Sequence, residues 1–240
     1  MINKIIKFSK LLSKHNWRIG LLNGVAANIE LKDLINNIKF SNLIDVGSNK
    51  GQFIILSSEF QNLDNIYSFE PQKDQLKIQK KLFKNNKKIK FYNFALGSKN
   101  KKLKFYFTER KDSSSLLKIN KNLTNKKSYN IQYERYITVK DGYSVFKNLK
   151  FNKPVLLKID VQGYELEVLK GFKKLLKKIN FILLEVSNKN LYLNQSSIIS
   201  ILNYLKKKNF KKINNNKWTF INKSKNVKQM DILFKNEKLD

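Results

Sequence analysis

Four acids occupy matching places along the chain: Asp45 after "LI", Glu70 after "YSF", Asp160 after "LLKI" and Glu185 after "ILL". Each ends, or nearly ends, a short apolar run of the kind that forms a buried strand. The chain has 18 Asp and Glu against 49 Lys and Arg, so acids are scarce and their recurrence at strand ends is informative. One such carboxylate reads as a helix cap or a surface charge. Four read as a rim, because ligands of open α/β sheets bind outside the carboxyl ends of the strands. Between the first two acids runs Asp45-Val46-Gly47-Ser48-Asn49-Lys50-Gly51. Gly47 and Gly51 permit a tight turn and close approach of a ligand to the main chain. A helix starting near Gly51 would present unpaired N–H groups. The order Asp-x-Gly-x-x-x-Gly departs from the dinucleotide pattern G-x-G-x-x-G. Glu70, 70 − 45 = 25 residues beyond Asp45, stands where an acid accepts hydrogen bonds from ribose hydroxyls. The pair favours an adenosine-bearing cofactor over a bare phosphate. The absence of G-x-x-x-x-G-K-[ST] argues against a nucleotide hydrolase.

Composition removes other chemistries. No cysteine occurs, which excludes disulfides, thiolate metal sites and cysteine nucleophiles. The one histidine, His15, lies far upstream of these motifs, so imidazole catalysis and His-based metal centres are disfavoured and no metal site is expected. Lysines interrupt every apolar stretch of the first 30 residues, which therefore read neither as a secretory signal nor as a membrane span. Residues 4–14 set Lys4, Lys7, Lys10 and Lys14 against Ile5, Ile6, Leu11 and Leu12. Such a basic amphipathic helix packs on a domain edge or lies on an anionic membrane. The expected location is cytoplasmic; peripheral contact at the inner membrane face through residues 1–14 is the alternative to packing on the domain edge. The net charge of +31 attracts polyanions. Its spread through "KNNKKIK", "KNKNLTNKK" and "KKINNNK" also fits Lys/Asn/Ile bias from an AT-rich genome.

The elements needed to hold the acids follow from periodicity. "NLIDVG", "NIYSFEP", "KIKFYNFAL", "KPVLLKIDVQG" and "NFILLEVS" read as strands. "GQFIILSSEF", "QKDQLKIQKKLFKN", "YELEVLKGFKKLLKKI" and "SSIISILNYLKKKNF" read as helices, the last capped by Ser196 or Ser197. An irregular insert over 98–135 includes one alternating strand, "KLKFYFTE", and the tail reads as two antiparallel strands. Strand–helix alternation predicts a mostly parallel sheet with helices on both faces. The expected layout is an N-terminal helical segment, 1–38, and one domain, 39–240.

Several segments, in order, resemble the FkbM family of S-adenosylmethionine-dependent methyltransferases: "IDVGSNKGQF", "FEPQ", "FALGSKNKKLKFY", "SSL", "LLKIDVQGYELEVLKGF" and "LLEVS". The resemblance covers roughly residues 40–190. It implies a Rossmann-like class I methyltransferase fold with an antiparallel last strand. It implies that Asp45, Gly47, Asn49 and Gly51 surround the methionine part of the cofactor, with Ser48, Phe53 and Pro71 in the binding set. Glu70 would bind the ribose, and Asn93 and Ala95 would flank the adenine. Asp160, Gln162, Gly163 and Glu165 would form the second signature, beside the methyl group and acceptor. Gln162 stands where the family usually has an acid, and Asp141 matches its Leu-Asp region only loosely.

Methyl transfer is a displacement in which the protein chiefly aligns acceptor oxygen, methyl carbon and sulfur. A general base assists an alcohol acceptor: Asp160 is the first candidate and Glu165 the second, while Asp160 as a cofactor anchor is nearly as well supported. Asp160 and Glu185 together as ligands of a divalent cation is a weaker alternative. The resemblance implies O-methylation of a sugar, glycan or related metabolite, and the basic insert suits an anionic acceptor. The rivals are an RNA methyltransferase, favoured by charge and by "YNIQYERY", and a non-catalytic polyanion binder.

Overall fold

A computed structural model of the chain describes residues 8–124, 126–151 and 154–239. The strands are β1 (Asn42–Val46), β2 (Asn65–Phe69), β3 (Ile89–Tyr92), β4 (Ala95–Gly97), β5 (Lys101–Thr108), β6 (Ile131–Asp141), β7 (Val155–Ile159), β8 (Phe181–Ser187), β9 (Phe210–Asn215), β10 (Thr219–Asn222) and β11 (Val227–Asn236). The α-helices are α1 (His15–Leu22), α2 (Lys32–Ile35), α3 (Gln52–Phe60), α4 (Lys73–Leu82), α5 (Gly142–Phe146), α6 (Glu165–Phe172) and α7 (Ile198–Lys207). The main sheet runs β10-β11-β8-β7-β1-β2-β3, with β9 also paired to β11. Its β8-β7-β1-β2-β3 portion is parallel, and β11 joins β8 antiparallel. A second sheet has the order β4-β6-β5. The Rossmann-like arrangement with an antiparallel C-terminal edge is the one expected.

Both faces of the parallel strands are covered, so the strands are apolar on both sides. On one face, Ile44, Val46, Leu157, Ile159 and Leu184 pack under α5, α6 and α7. On the other, Leu43, Leu156, Leu183 and Leu233 pack against α3 and the N-terminal residues Leu11, Trp17, Leu31, Leu34 and Ile35. Because side chains alternate in a strand, the positions two residues on share this second face. They are Asp45 on β1, Lys158 on β7 and Glu185 on β8, with Asp231 of β11 directly opposite Glu185. Each strand therefore changes from leucine to charge in one step as it nears the rim.

Several elements differ from the sequence reading. "KIKFYNFAL" breaks after Tyr92, and its two ends join different sheets as β3 and β4. The insert holds a long second strand, β6, paired along β5 from Lys101↔Val139 to Thr108↔Ile131. The tail has three strands because one edge of β11 pairs with β10 in its first half and β9 in its second. The helix from Glu165 tightens into a 3-10 segment at Lys173–Lys178, where Lys173 takes φ +50°. Ser197 is the cap of α7, accepting from Ser200 N at 3.2 Å. Of the amphipathic segment expected over 4–14, residues 8–12 are helical with Leu11 buried, and 4–7 lie outside the described residues. No helix among the described residues is long and apolar enough to cross a membrane.

Candidate active site

The loops after β1, β2 and β7 are stitched together by their main chains. Gly47 and Ser48 N–H both donate to Phe69 O, at 3.0 and 3.1 Å, and Asp160 N–H donates to Val46 O at 2.9 Å. Gly47 has φ +78°, and a Cβ there would lie 1.9 Å from Asp160 O. Only glycine meets both demands, the left-handed turn and the touching backbones. Gly51, with φ +86°, packs on the Phe83 ring as α3 begins.

Glu70 is buried where β2 ends. Its Oε2 accepts from Asn49 N–H and its Oε1 from Gln72 N–H, both at 2.8 Å. Burial pushes its carboxyl up to about 7, against the pull of those two amides. Either side of it, Asn49 Oδ1 and Gln72 Oε1 are buried acceptors with no hydrogen-bond partner among the described residues. Glu70, Asn49 and Gln72 line a hollow with Gly47, Pro71 and Asp160, and Val46, Phe69, Ala95, Leu96, Phe105 and Leu116 supply its apolar walls. Counted out to its open mouth, it encloses about 600 Å³. Part of the insert, through Lys111, Asp112 and Ser114, closes one side, and Gln72 Nε2 holds Lys111 O at 2.9 Å.

A wider polar cleft adjoins this hollow and shares Gly47, Asn49, Asp112, Asp160 and Gln162 with it. In its floor Lys158 Nζ lies 3.6 Å from Asp45 Oδ1 and 3.3 Å from Asp160 Oδ2. Burial works against the lysine's charge, but Asp160 and Asp45 outweigh it and hold the ammonium above its ordinary range. Asp45 is wholly buried, and burial pushes its carboxyl up while Lys158 opposes the push. Gln162, at φ +57°, reaches Asp160 Oδ1 at 2.9 Å and Glu185 Oε2 at 3.4 Å with its Nε2. On its other side Gln162 Oε1 lies 2.9 Å from Tyr192 OH. Gln229 Nε2 donates to Glu185 Oε2, and Asn216 Nδ2 to Asp231 Oδ2, both at 2.7 Å. Burial and Asp160 push Asp231 up to about 6. The cleft thus carries the acids Glu30, Asp112, Asp160, Glu185 and Asp231 against the bases Arg110, Lys126 and Lys158.

The expected site residues divide into three groups. Gly47, Asn49, Glu70, Pro71, Ala95 and Asp160 line the hollow. Ser48 and Phe53 line the cleft instead, and the Ser48 hydroxyl is also held by Ser68 and Gln79. Asp45, Gly51, Asn93 and Glu165 lie behind the walls. The Asn93 amide donates to Glu70 O and Pro71 O, at 2.9 and 3.0 Å, tying down that loop. Glu165 is buried, accepts from Gly163 N–H at 2.8 Å and is pushed up to about 7 by burial. It faces its own loop and lines neither space. Asp141 caps α5, accepting from Ser144 N at 3.0 Å, and pairs with Lys173. Among the described residues no group of three or more His, Cys, Asp or Glu is placed to hold a metal ion. Lys158, Asp231, Gln229 and Gln72 were not singled out from the sequence. Lys158 had a signal, as the one charge inside the apolar run "VLLKI".

Comparisons agree with this architecture. A putative S-adenosylmethionine-dependent methyltransferase from Listeria monocytogenes aligns over 87% of this chain and 97% of its own, with TM-score 0.50 and 9% identity. A methyltransferase FkbM from Methylobacillus flagellatus aligns over 80% of this chain and 43% of its own, with TM-score 0.48 and 11% identity. In sequence, the hexuronic acid methyltransferase AglP of Haloferax volcanii is 34% identical over 61 residues, which is 25% of this chain and 26% of that protein. The match therefore spans about a quarter of each. The model of the methyltransferase FkbM domain matches residues 45–212, well over half of the chain and every strand from β2 to β8. The chain belongs to the methyltransferase FkbM domain family.

Proposed function

We propose that this chain binds S-adenosylmethionine in the hollow beside Glu70 and methylates a hydroxyl oxygen of a sugar held in the adjoining cleft. The observation that carries the reading is the pair of unpartnered acceptors, Asn49 Oδ1 and Gln72 Oε1, flanking Glu70. A buried acceptor without a donor is costly, and a ribose diol and an exocyclic amine bring donors. The apolar walls suit a flat purine. When bound, S-adenosylmethionine supplies an electrophilic methyl carbon on a sulfonium sulfur. Glu70 would hold the ribose, Gly47 and Asn49 the methionine side, and Ala95 and Leu96 the base. Asp160, shared by both spaces, would orient the acceptor at their junction. Both of its oxygens are already gripped, by the Gln162 amide and the Lys158 ammonium, which supports the anchoring role over that of a base.

The cleft supports a polyhydroxylated acceptor. Its carboxylates and amides, including Asn28, Gln52, Asn216 and Gln229, are suited to sugar hydroxyls, and Tyr129 and Phe220 offer apolar faces. Arg110 and Lys126 from the insert would receive one acidic group of an acceptor. AglP, by its name, acts on a hexuronic acid, which is an acceptor of this kind. The second reading, an RNA acceptor, is favoured by Tyr133 and Tyr136, exposed on β6 with Lys111 and Lys104 over their rings.

Calorimetric titration with S-adenosylmethionine tests the cofactor, and absence of binding would leave the non-catalytic polyanion binder. Methyl-labelled cofactor added to a cell extract, then split into polysaccharide, lipid and nucleic-acid fractions, tests the acceptor. Label is expected in polysaccharide or glycolipid. Label confined to nucleic acid would reject the sugar reading.

A further inference from the structure

Two carboxylates line the cleft, Asp160 where it meets the hollow and Glu185 linked to it through Gln162, and they are gripped differently. Asp160 has an amide on one oxygen and an ammonium on the other. Glu185 has both of its amide donors, Gln229 at 2.7 Å and Gln162 at 3.4 Å, on Oε2. Its Oε1 accepts nothing from the described residues. Gln162 links the two acids, so Glu185 is held close to Asp160 without being blocked by it.

We propose that Glu185 takes the proton of the acceptor hydroxyl, on Oε1; this rests on the methyl-transfer reading above. In the balanced step the acceptor oxygen gives its proton to Oε1 and forms the new bond to the methyl carbon. The carbon–sulfur pair stays on sulfur, which becomes a neutral thioether. The two amides fix Oε2 and thereby the plane of the carboxylate. Lys158, paired with Asp45 and Asp160 in the floor, supplies positive charge without capping Oε1.

The surroundings make this carboxylate a stronger base than an exposed glutamate. Burial pushes the Glu185 carboxyl well up, and Asp160, Asp231 and Glu165 push the same way while Lys158 opposes. Arg110 adds a second positive charge facing it, and Tyr129 and Tyr192 are its neutral titratable neighbours. Asp160 is a positioning residue in this scheme, and Gln162 and Gln229 hold the base.

The test uses the full chain, S-adenosylmethionine and the polysaccharide fraction that takes up label. Glu185→Gln should bind the cofactor within about twofold of wild type and lose 100-fold or more in turnover, the range of a general base. The wild-type rate should rise with pH through the Glu185 titration, and the residual Glu185→Gln rate should not. Carboxyl-carbon NMR of the wild type, assigned with that variant, should show Glu185 titrating above the ordinary carboxylate range and needs no turnover. A Glu185 signal in the ordinary range overturns the proposal even if the variant misfolds. So does a variant that binds cofactor and keeps its turnover. Failure of the wild type to bind S-adenosylmethionine overturns the methyl-transfer reading and this proposal together, a result distinct from the other two.

Discussion

Glu70, buried, and Glu185, partly buried, are acids at the same rim of one sheet, yet the molecule holds them by different means. Glu70 is gripped by main-chain N–H groups of its own and the neighbouring loop. Glu185 is gripped by the side chains of Gln162 and Gln229. Main-chain donors are independent of side-chain identity and fix one geometry, which suits a constant cofactor. Side-chain amides can be exchanged or rotated without disturbing the fold, which suits an acceptor site that varies. On the proposed function, the difference separates a cofactor half fixed by the backbone from an adjustable acceptor half held by side chains.

The strongest way to break that division is to remove the charge lying in the floor of the adjustable half. Lys158→Met leaves Asp45 buried without its counter-charge, and such a loss typically costs about 3–5 kcal/mol. Urea unfolding should show it, and Lys158→Met with Asp45→Asn should recover a large part. An unchanged midpoint in the single variant would mean that Asp45 is already protonated.

Next in size, Glu70→Ala removes the carboxylate from two main-chain N–H groups and from the proposed ribose. Cofactor affinity should fall by about 100-fold, corresponding to about 3 kcal/mol for charge-assisted bonds. Calorimetry would show this, with Glu185→Gln as the matched control that keeps its affinity. Equal losses in the two variants would erase the distinction between the halves.

Titration sharpens the comparison further. Glu70 and Glu165 are each raised from 4.5 to about 7, so between those values the folded chain binds more protons than the unfolded one. Their contribution to stability is present below about pH 4.5 and lost as pH rises to about 7, by up to about 3 kcal/mol each. Tm should therefore be higher at pH 5 than at pH 8. Ribose donors favour the ionised form of Glu70, so cofactor binding at pH 6 should release protons, seen as a dependence of calorimetric heat on buffer ionisation enthalpy. The smallest effect is expected from Gln229→Ala, which frees Glu185 Oε2 from one amide. A few-fold rise in KM for the acceptor, with cofactor affinity unchanged, would place it in the adjustable half.

The sequence showed the first half of the site more clearly than the second. Asp45, Gly47, Gly51 and Glu70 sit in one contiguous stretch, where local turn chemistry fixes the geometry. The cleft is assembled from β7, β8, the insert and the last strand, so Asp231 and Gln229 become neighbours of Glu185 only through the antiparallel pairing of β11 with β8. Spacing along the chain carries no trace of that contact. Lys158 could have been found, because a lysine in a buried parallel strand needs an acid beside it and Asp45 is its partner in register. Strand β6 was missed because its solvent-facing stretch, "QYERY", is polar enough to pass for a loop. The direction taken by Glu165 is not legible in the sequence, because a helix-start acid can turn toward its own loop as readily as toward a ligand, and residue type does not distinguish the two.

The cleft's mixture of charges sets it apart from the strongly basic surface of the chain. The chain carries +31 overall, while five acids and three bases line the cleft. A long phosphate backbone would adhere to the outside, yet each successive phosphate would meet repulsion on entering. Adhesion and reaction are thereby separated: retention on a polyanionic matrix would report the shell alone, and salt that strips the chain from such a matrix should leave its chemistry intact.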